Sequence, residues 1–402
     1  MPAVPPSPDP NPSEPLPRLM IPGPTELAPE VLAAMGRQSV PHYGDEWVRR
    51  HNETLGLLAE AFVTERPPIL MVGTGTAGLE AGPGTVLGSG ERVAVAVNGG
   101  FGERWVGILE QLGLEVVRVE APWGEAVTRE RLAEVLDRAE AVRVVAVVHG
   151  ETSTGVLNPI RELAEEAHAR GALMVVDAIS SFGGVWLPVD EWGIDLCVGS
   201  TQKCLAAPPG LCPVAVSPAA WEAMEAARDT NRRSWYLNLL TWRHYARDWA
   251  DWHPFPVTMA CALVLALKEA LRLLLDEGLQ ARAWRLERLA AGFRAGVRAL
   301  GCRTVTEERW ACPTTTAVVL PDGVSGPEAR RFLEEETGLL VAFGFAEYRG
   351  RGFRVGHFGG TANWECTARL LEGVGRFLRH KGCAVDPGEG VAAARAVWGD
   401  RE

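Results

Sequence analysis

Short, almost continuously apolar runs alternate along this chain with segments whose apolar residues recur at helical spacing. The runs cover residues 69–72, 93–97, 144–148, 173–176, 194–198 and 213–216. Apolar strands of this kind, joined by helices such as the one predicted over residues 161–170, indicate a mostly parallel sheet that helices cover on both faces. The pattern therefore predicts an α/β fold whose ligands bind at the carboxyl ends of the strands.

A second, smaller unit is predicted after a long helix over residues 261–275. The next segment, 281–300, reads as an amphipathic helix that ends at Gly301, a residue typical of helix termini. An α+β unit follows, with strands predicted at 315–320 and 353–355 and helices at 326–336 and 366–379. The expected boundaries are a tail over 1–17, a large domain over 18–275, a small C-terminal domain over 276–384 and a C-terminal extension over 385–402.

The composition is that of an ordinary globular protein. Of the 402 residues 47% are hydrophobic, the mean hydropathy is near zero, and the net charge of −11 is spread along the chain. No basic block interleaves with aromatic residues as a nucleic-acid surface requires, and no apolar run approaches the ~20 residues of a membrane span. We therefore expect a small-molecule partner, and neither a nucleic acid nor a membrane.

The cysteines and the first residues favour a cytoplasmic location. The eight cysteines form no Cys-x-x-Cys pair, and several lie in apolar runs, where a reduced thiol behaves as a small hydrophobe. A metal site is therefore not expected. Residues 1–17 lack the basic and apolar segments of a secretion signal, and their many prolines prevent regular structure, so we expect a disordered tail.

Two charged residues follow neighbouring predicted strands. Lys203 comes just after the run 194–198, and Asp177 ends the run 173–176. Each has an ordinary interpretation, because a lysine at a strand end is usually solvated and an aspartate there often caps a helix. Together with an earlier glycine-rich turn, they match what pyridoxal 5′-phosphate requires: a lysine whose pKa is lowered by its surroundings, and an aspartate beside the ring nitrogen.

The glycine-rich turn, Gly73-Thr74-Gly75-Thr76-Ala77-Gly78, follows the first apolar run and allows two interpretations. Its spacing matches the dinucleotide fingerprint, but the next run, 93–97, ends in Asn98-Gly99-Gly100 and not in the acid that would bind a ribose. The alternative is a single phosphate, held by backbone N–H groups and the two threonine hydroxyls at the N-terminus of a helix. We favour the single phosphate.

Two further turns carry candidate ligand contacts. Phe101 comes after a glycine pair and is either core or, because glycine lets the backbone approach a ligand, a ring that stacks on a pyridine. The segment 149–155 follows another apolar run and is too polar for a simple helix start. Its first residue, His149, is not expected to bind a metal, because no second ligand lies at a metal-site spacing.

Taken together, these motifs resemble the class V aminotransferases of fold type I, in particular the alanine–glyoxylate and serine–pyruvate group. The resemblance extends from about residue 20 to 380 and implies a large domain around a seven-stranded sheet, with a smaller C-terminal domain. The matching stretches, in order, are Pro22-Gly23-Pro24-Thr25, Gly73 to Ala81, Asn98 to Gly102, His149 to Gly155, Val176-Asp177, Ser200 to Lys203, Ala207 to Gly210 and Phe353 to Gly356.

The resemblance implies a role for most of these residues. Lys203 would form the Schiff base with pyridoxal 5′-phosphate, Asp177 would pair with the ring nitrogen, and Phe101 would stack on the ring. Arg354 would bind the substrate carboxylate, a task that suits its planar guanidinium group. Cofactor contacts are also implied for Thr74, Gly75, Thr76, Thr152, Ile179 and Gln202, and a substrate contact for Gly23.

The family is dimeric, and one of its segments contacts the phosphate bound by the other subunit. Residues 252–258 resemble that segment, which implies this contact for Thr258.

Three features depart from the family. Phe101 stands where tryptophan is common, and Phe255 stands where a tyrosine often binds the phosphate. Gly82-Pro83-Gly84 falls where the family has a continuous helix, so we expect the helix after the phosphate turn to be short or kinked.

The activity implied is transfer of an amino group from a small amino acid, alanine or serine, to glyoxylate or pyruvate. Segments 312–318 and 321–324 also resemble pyridoxamine–pyruvate aminotransferase, in which a carboxylate replaces the phosphate-binding groups; the glycine-rich turn has no carboxylate. A lyase or desulfurase of the same fold would need a mobile cysteine, for which Cys312 is the candidate. A dinucleotide-dependent oxidoreductase would use the glycine-rich turn. The sequence does not identify the amino donor.

Overall fold

The computed structural model describes residues 16–229 and 233–399. The predicted tail therefore lies outside the described residues except for its last two positions. The strands are β1 (Arg18–Leu19), β2 (Ile69–Val72), β3 (Arg92–Val97), β4 (Glu115–Glu120), β5 (Val142–Val148), β6 (Gly150–Glu151), β7 (Val156–Leu157), β8 (Leu173–Asp177), β9 (Leu196–Val198), β10 (Leu211–Val216), β11 (Arg303–Thr304), β12 (Thr315–Val319), β13 (Leu339–Leu340), β14 (Ala342–Phe343) and β15 (Gly352–Gly356).

The helices are α1 (Pro29–Met35), α2 (Asp45–Phe62), α3 (Gly75–Val86), α4 (Gly100–Gln111), α5 (Arg129–Leu136), α6 (Ile160–Ala169), α7 (Pro218–Ala226), α8 (Leu239–Asp248), α9 (Cys261–Glu277), α10 (Leu279–Ala299), α11 (Gly326–Thr337), α12 (Trp364–His380) and α13 (Pro387–Trp398). In the part of the chain that the structure describes, none of the helices combines the length and the apolar character needed to cross a bilayer.

A seven-stranded sheet forms the centre of the larger part, in the order β2-β10-β9-β8-β5-β3-β4. Neighbouring strands are parallel except at β10, which is antiparallel to both of its neighbours. The six predicted runs are all strands of this sheet, and the predicted α/β class with a mostly parallel sheet is confirmed. The near-continuous burial of β3, β5, β8 and β10 explains their unbroken apolar sequences.

Strand β4 is the one member of this sheet that the apolar pattern did not predict. Its sequence, Glu-Val-Val-Arg-Val-Glu, mixes charged and apolar residues, and only Val119 is buried. The strand lies at the edge of the sheet and pairs only with β3. An edge strand is partly solvated, and charged side chains protect it from pairing with other chains, so its sequence lacks the apolar run of a central strand.

Helix α3 continues through Pro83 to Val86, so the expectation of a short helix at this point is wrong. A proline in a helix leaves the carbonyl four residues earlier without its usual N–H donor. Here that carbonyl belongs to Leu79, and it accepts a hydrogen bond from the indole Nε1 of Trp105 at 3.2 Å. The tertiary structure thus supplies the missing donor, and the helix is maintained.

A second apolar cluster forms around a four-stranded antiparallel sheet, β11-β12-β15-β14, packed with α10, α11 and α12. Helix α13, within the predicted extension, packs against α10, where Gly296 and Gly390 let the two backbones approach closely. Strand β1 pairs with β13, and Met20 is buried in this cluster. The exact domain boundaries stay predictions.

Candidate active site

One cavity, of about 270 Å³, lies where the loops after β2, β3, β5, β8 and β9 meet. The loops converge because the carboxyl ends of these strands share one edge of the sheet. The cavity is lined by Thr74, Gly75, Thr76, Leu79, Phe101, Arg104, Trp105, Ile108, Val148, Gly150, Asp177, Ile179, Ser180, Gln202 and Lys203. Residues that the sequence assigned to five separate motifs therefore surround a single space.

Lys203 projects into this cavity from the turn after β9. Burial of the amine, with a contribution from the charge of Arg354, lowers its pKa to about 8. Its Nζ donates to the carbonyl oxygen of Pro22, and among the described residues no carboxylate lies within ion-pair distance of it. An amine in this environment is deprotonated far more readily than a solvated lysine, as a nucleophile that attacks a carbonyl carbon requires.

Gly23 is placed beside Lys203 by the extended segment that precedes α1. Its φ is +96°, and a Cβ at this position would lie 2.4 to 2.7 Å from Cδ, Nζ and Cε of the lysine. Any other residue would displace the amine from its present position. The structure therefore brings Gly23 to the site, in contact with the lysine.

Asp177 ends β8 and is buried at the cavity wall. Its Oδ1 accepts one hydrogen bond, from the backbone N–H of Ile179 at 2.9 Å, so the carboxyl group does stabilise the start of the next turn. Burial, and then the nearby Glu151, raise the pKa of Asp177 to about 7, although Lys203 acts in the opposite direction. A buried carboxylate whose negative charge is stabilised by so few neighbouring groups favours a cationic N–H group beside it.

The opposite end of the cavity is formed by the start of α3. Thr74 precedes the helix and makes no side-chain capping bond, while the N–H of Gly75 donates to Ser200 Oγ at 3.3 Å. That hydroxyl in turn donates to Gln202 Oε1 at 2.6 Å. N–H groups of a first helical turn, surrounded by hydroxyl and amide groups, form an anion-binding site.

The glycines of this turn are explained by close packing. A Cβ on Gly75 would lie 2.4 Å from Ile179 Cδ1, and one on Gly78 would lie 2.6 Å from Val198 Cγ1. They let α3 approach the sheet and the neighbouring loop. Asn98, at the position where a dinucleotide site needs an acid, is buried, and its Nδ2 donates to Asn158 Oδ1 and to a backbone carbonyl. The oxidoreductase alternative loses its ribose contact.

Phe101 lies in the first turn of α4, and Glu151 fixes that turn. The fully buried carboxylate of Glu151 accepts from the N–H groups of Phe101 at 3.0 Å and Gly102 at 3.1 Å, and from the hydroxyl of Ser153 at 2.6 Å. Sequence reasoning missed this residue, although it lies in the polar segment 149–155 that was singled out. The sequence feature that could have identified Glu151 is an acidic residue between a buried strand and a turn.

Arg354 approaches from β15 of the second sheet. Its Nε donates to the carbonyl of Phe343 at 2.9 Å and its Nη1 to the carbonyl of Thr152 at 3.1 Å. Burial lowers its pKa, and among the described residues no carboxylate is paired with it. Thr152 therefore contacts the arginine through its backbone, and its hydroxyl does not line the cavity.

Three other residues singled out from the sequence lie apart from the cavity. Thr258 is exposed on the surface of the chain. His149 is buried against Trp192, and burial lowers its pKa to about 3, so it is neutral. Cys312 is buried with its thiol 3.1 Å from Thr314 Oγ1, and burial raises its pKa. A thiol held in this way does not have the mobility that a desulfurase needs.

The fold and the cavity are those of a fold-type-I transferase, and comparisons with known proteins specify the family. A family model described as aminotransferase class-V matches residues 20–346. This chain belongs to the class V aminotransferases. An uncharacterized aminotransferase of Methanocaldococcus jannaschii is 37% identical over 352 residues, which are 88% of this chain and 90% of that protein.

Two solved structures are similar over almost the whole chain. A pyridoxamine–pyruvate aminotransferase from Mesorhizobium loti superposes with a TM-score of 0.89 at 30% identity, covering 96% of this chain and 98% of the other. An alanine–glyoxylate aminotransferase from Nostoc sp. has a TM-score of 0.85 at 32% identity and covers 92% and 97% of the two chains. The sequence-based assignment to a class V aminotransferase is confirmed.

Proposed function

We propose that this protein transfers an amino group from a small amino acid, alanine or serine, to glyoxylate or pyruvate with pyridoxal 5′-phosphate as cofactor. The observation that carries the proposal is that Lys203 and Asp177 line one cavity, each with a pKa moved toward neutrality by burial. Groups with such perturbed pKa values in a cavity mark a reactive centre.

The residues present fit the cofactor at three points. The start of α3 would hold the phosphate, Asp177 would pair with the protonated ring nitrogen, and Phe101 would lie beside the ring. When bound, the cofactor supplies an electron sink for the carbanion formed at the substrate α-carbon. The buried carboxyl group of Asp177, which has one recorded hydrogen bond, provides the compensating charge for that ring nitrogen.

The chain's own residues would then move one proton. With the cofactor bound, the free amine of Lys203 would be the base that accepts the proton from the substrate α-carbon, and the ammonium so formed would be the acid that gives the proton back. A pKa of about 8 suits this exchange, because both protonation states are populated near neutral pH. Arg354 orients the substrate through its carboxylate, with two of its donors held by the carbonyls of Thr152 and Phe343.

The substrates are proposed from the names of the relatives and the charges at the site. The solved relatives act, by name, on alanine with glyoxylate and on pyridoxamine with pyruvate. Hydroxyl groups and an arginine lie near the start of α3, and they favour the binding of an anion such as the phosphate of a phosphorylated cofactor. The glycine-rich turn has no carboxylate, which is the group that would replace the phosphate-binding groups if pyridoxamine were the substrate. We therefore favour a resident phosphorylated cofactor over pyridoxamine as the substrate.

We also propose a homodimer in which Thr258 contacts the phosphate held by the other subunit. Thr258 is exposed, and Tyr43, Trp249 and Trp252, which are 49%, 41% and 49% exposed, form an aromatic surface. Exposed aromatic residues in contact with one another are unusual on a monomer and typical of an interface. Sedimentation with and without cofactor tests the proposed dimer: a monomer that binds the cofactor tightly contradicts it.

A cytoplasmic location, consistent with eight free cysteines, remains part of the proposal.

Spectroscopy and trapping test the proposed function directly. The purified protein should show a visible-range absorption that borohydride removes, with the label on the peptide that contains Lys203. Each amino donor in a panel should then be assayed against glyoxylate and pyruvate. A colourless protein that takes up no pyridoxal phosphate, or a label on another lysine, contradicts the proposal.

A further inference from the structure

The first turn of α4 brings an arginine to the phosphate end of the cavity. The cavity's described walls contain two cationic side chains, Lys203 and Arg104. Lys203 lies at the end where the ring and substrate would react, so Arg104 is the cation available at the start of α3. This inference rests on the proposed function, because it concerns the phosphate of the proposed cofactor.

The guanidinium group of Arg104 is hydrogen-bonded to Thr76, one of the residues predicted to contact the phosphate. Arg104 Nη2 donates to the hydroxyl oxygen of Thr76 at 3.0 Å, across a separation of 28 residues in sequence. A phosphate that accepts a hydrogen bond from Thr76 would therefore lie beside the guanidinium group as well. The residue is exposed and lines the cavity, and this bond to Thr76 uses one nitrogen of its guanidinium group.

Although its charge acts on the buried carboxyl group of Asp177, Arg104 has no ion-pair partner among the described residues. Its neighbour in sequence, Glu103, is paired with Arg118 of β4 at 2.5 Å, and among the described residues no carboxylate lies within 4.0 Å of Arg104. The remaining groups at this end, Ser200 and Gln202, are neutral. A phosphate dianion needs more positive charge than a helix N-terminus provides, which is equivalent to roughly half an elementary charge.

We propose that Arg104 binds the cofactor phosphate and is the residue of its own chain that makes the site select phosphorylated over unphosphorylated pyridoxal. The guanidinium group would donate to a phosphate oxygen while keeping its bond to Thr76. The selectivity arises because the phosphate is the only part of the cofactor that gains a charge-assisted hydrogen bond from Arg104.

Binding of two probes to the cofactor-free protein tests this proposal. The probes are pyridoxal phosphate and pyridoxal, with the change in intrinsic tryptophan fluorescence on binding as readout. Arg104→Gln keeps a donor for Thr76 and removes the charge, and it should raise the Kd for pyridoxal phosphate on the order of tenfold. The Kd for pyridoxal should change less than about twofold, and Arg104→Lys should give an intermediate loss.

The matched control is Arg118→Gln, because Arg118 contacts the same helix through Glu103 and does not line the cavity. Its two Kd values should match those of the unaltered protein. Equal losses for both probes in Arg104→Gln, or no loss for either, overturn the proposal while the proposed function stands. An unaltered protein that binds both probes equally well overturns the phosphate site itself and this inference with it.

Discussion

The candidate site has two ends that are built in different ways: the cavity itself and, outside its lining, the side chain of Arg354. The cofactor end consists of turns that leave a single sheet, where Asp177 ends β8 and Lys203 follows β9, its hydrogen-bonded neighbour. The carboxylate end depends on Arg354, which lies on β15 of another sheet and contacts the loop that contains Thr152 across 202 residues of sequence. The first end is local to one sheet, and the second requires two parts of the molecule to meet.

If the proposed roles hold, this difference predicts that cofactor binding and substrate recognition are separable in this fold. Changes at the sheet edge should alter the chemistry of the cofactor, whereas changes on β15 should alter only the use of carboxylate substrates. Glu151 lies between the two ends: it fixes the first turn of α4, and its charge acts on both Asp177 and Arg354. Four predictions test how complete the separation is.

Lys203→Ala should have the largest effect, a loss of turnover by at least about a thousandfold, because no other amine in the cavity can act as nucleophile and base. Pyridoxal phosphate should still bind, without a bond that borohydride can reduce. Lys268→Ala is the matched control, since Lys268 is paired with Glu53 on the outside of the fold. Full activity in the Lys203 variant, or loss of labelling in the control, contradicts the assignment.

Asp177→Asn should retain the cofactor and lose most activity, because an amide cannot stabilise the protonated ring nitrogen. Breaking a buried charge pair costs roughly 2–5 kcal/mol, so the fall in kcat should be on the order of a hundredfold or more. The measurement is single-turnover kinetics of the reconstituted variant. A near-normal rate would show that the carboxyl group serves only its hydrogen bond to Ile179.

Arg354→Lys should affect the substrate end alone. Since two charge-assisted hydrogen bonds to a carboxylate are replaced by a point charge, kcat/KM for the amino acid and the oxo acid should fall about a hundredfold, with the Kd of the cofactor unchanged. Comparing alanine with ethylamine identifies the group that is recognised. If both substrates slow equally, Arg354 does not bind the carboxylate and the two ends are not separable.

The pH dependence of stability should give the smallest effect. The pKa of Asp177 is raised from 3.8 to about 7 on folding, so its stabilising protonation is present below pH 4 and is lost as the pH rises through 7. The Tm of the cofactor-free protein, relative to Asp177→Asn, should therefore fall by about 2–5 °C between pH 4 and 8. The contribution of His149, whose lowered pKa acts in the opposite direction, is common to both proteins. Parallel curves would contradict the raised pKa.

Much of the cofactor end was predictable because its signals are local. An apolar run followed by a polar turn identifies a buried strand and its carboxyl end, and parallel topology then places the residues after β2, β8 and β9 on one side. Asp177 and Lys203 were found in this way. The roles implied for Thr152 and Thr258 stay predictions: the carbonyl of Thr152 accepts a hydrogen bond from Arg354, and Thr258 is exposed.

Six of the seven strands of the central sheet, its mostly parallel character and the residues at its carboxyl edge follow from the sequence alone, because these depend on the spacing of apolar side chains over a few residues. Only the tertiary structure decided that Trp105 supports a helix through Pro83, that Glu151 holds α4, and that Arg104 reaches Thr76. Each of these contacts joins residues 26 to 50 positions apart, and a hydrogen bond over such a distance depends on the packing of whole elements. No local pattern of residue types encodes it.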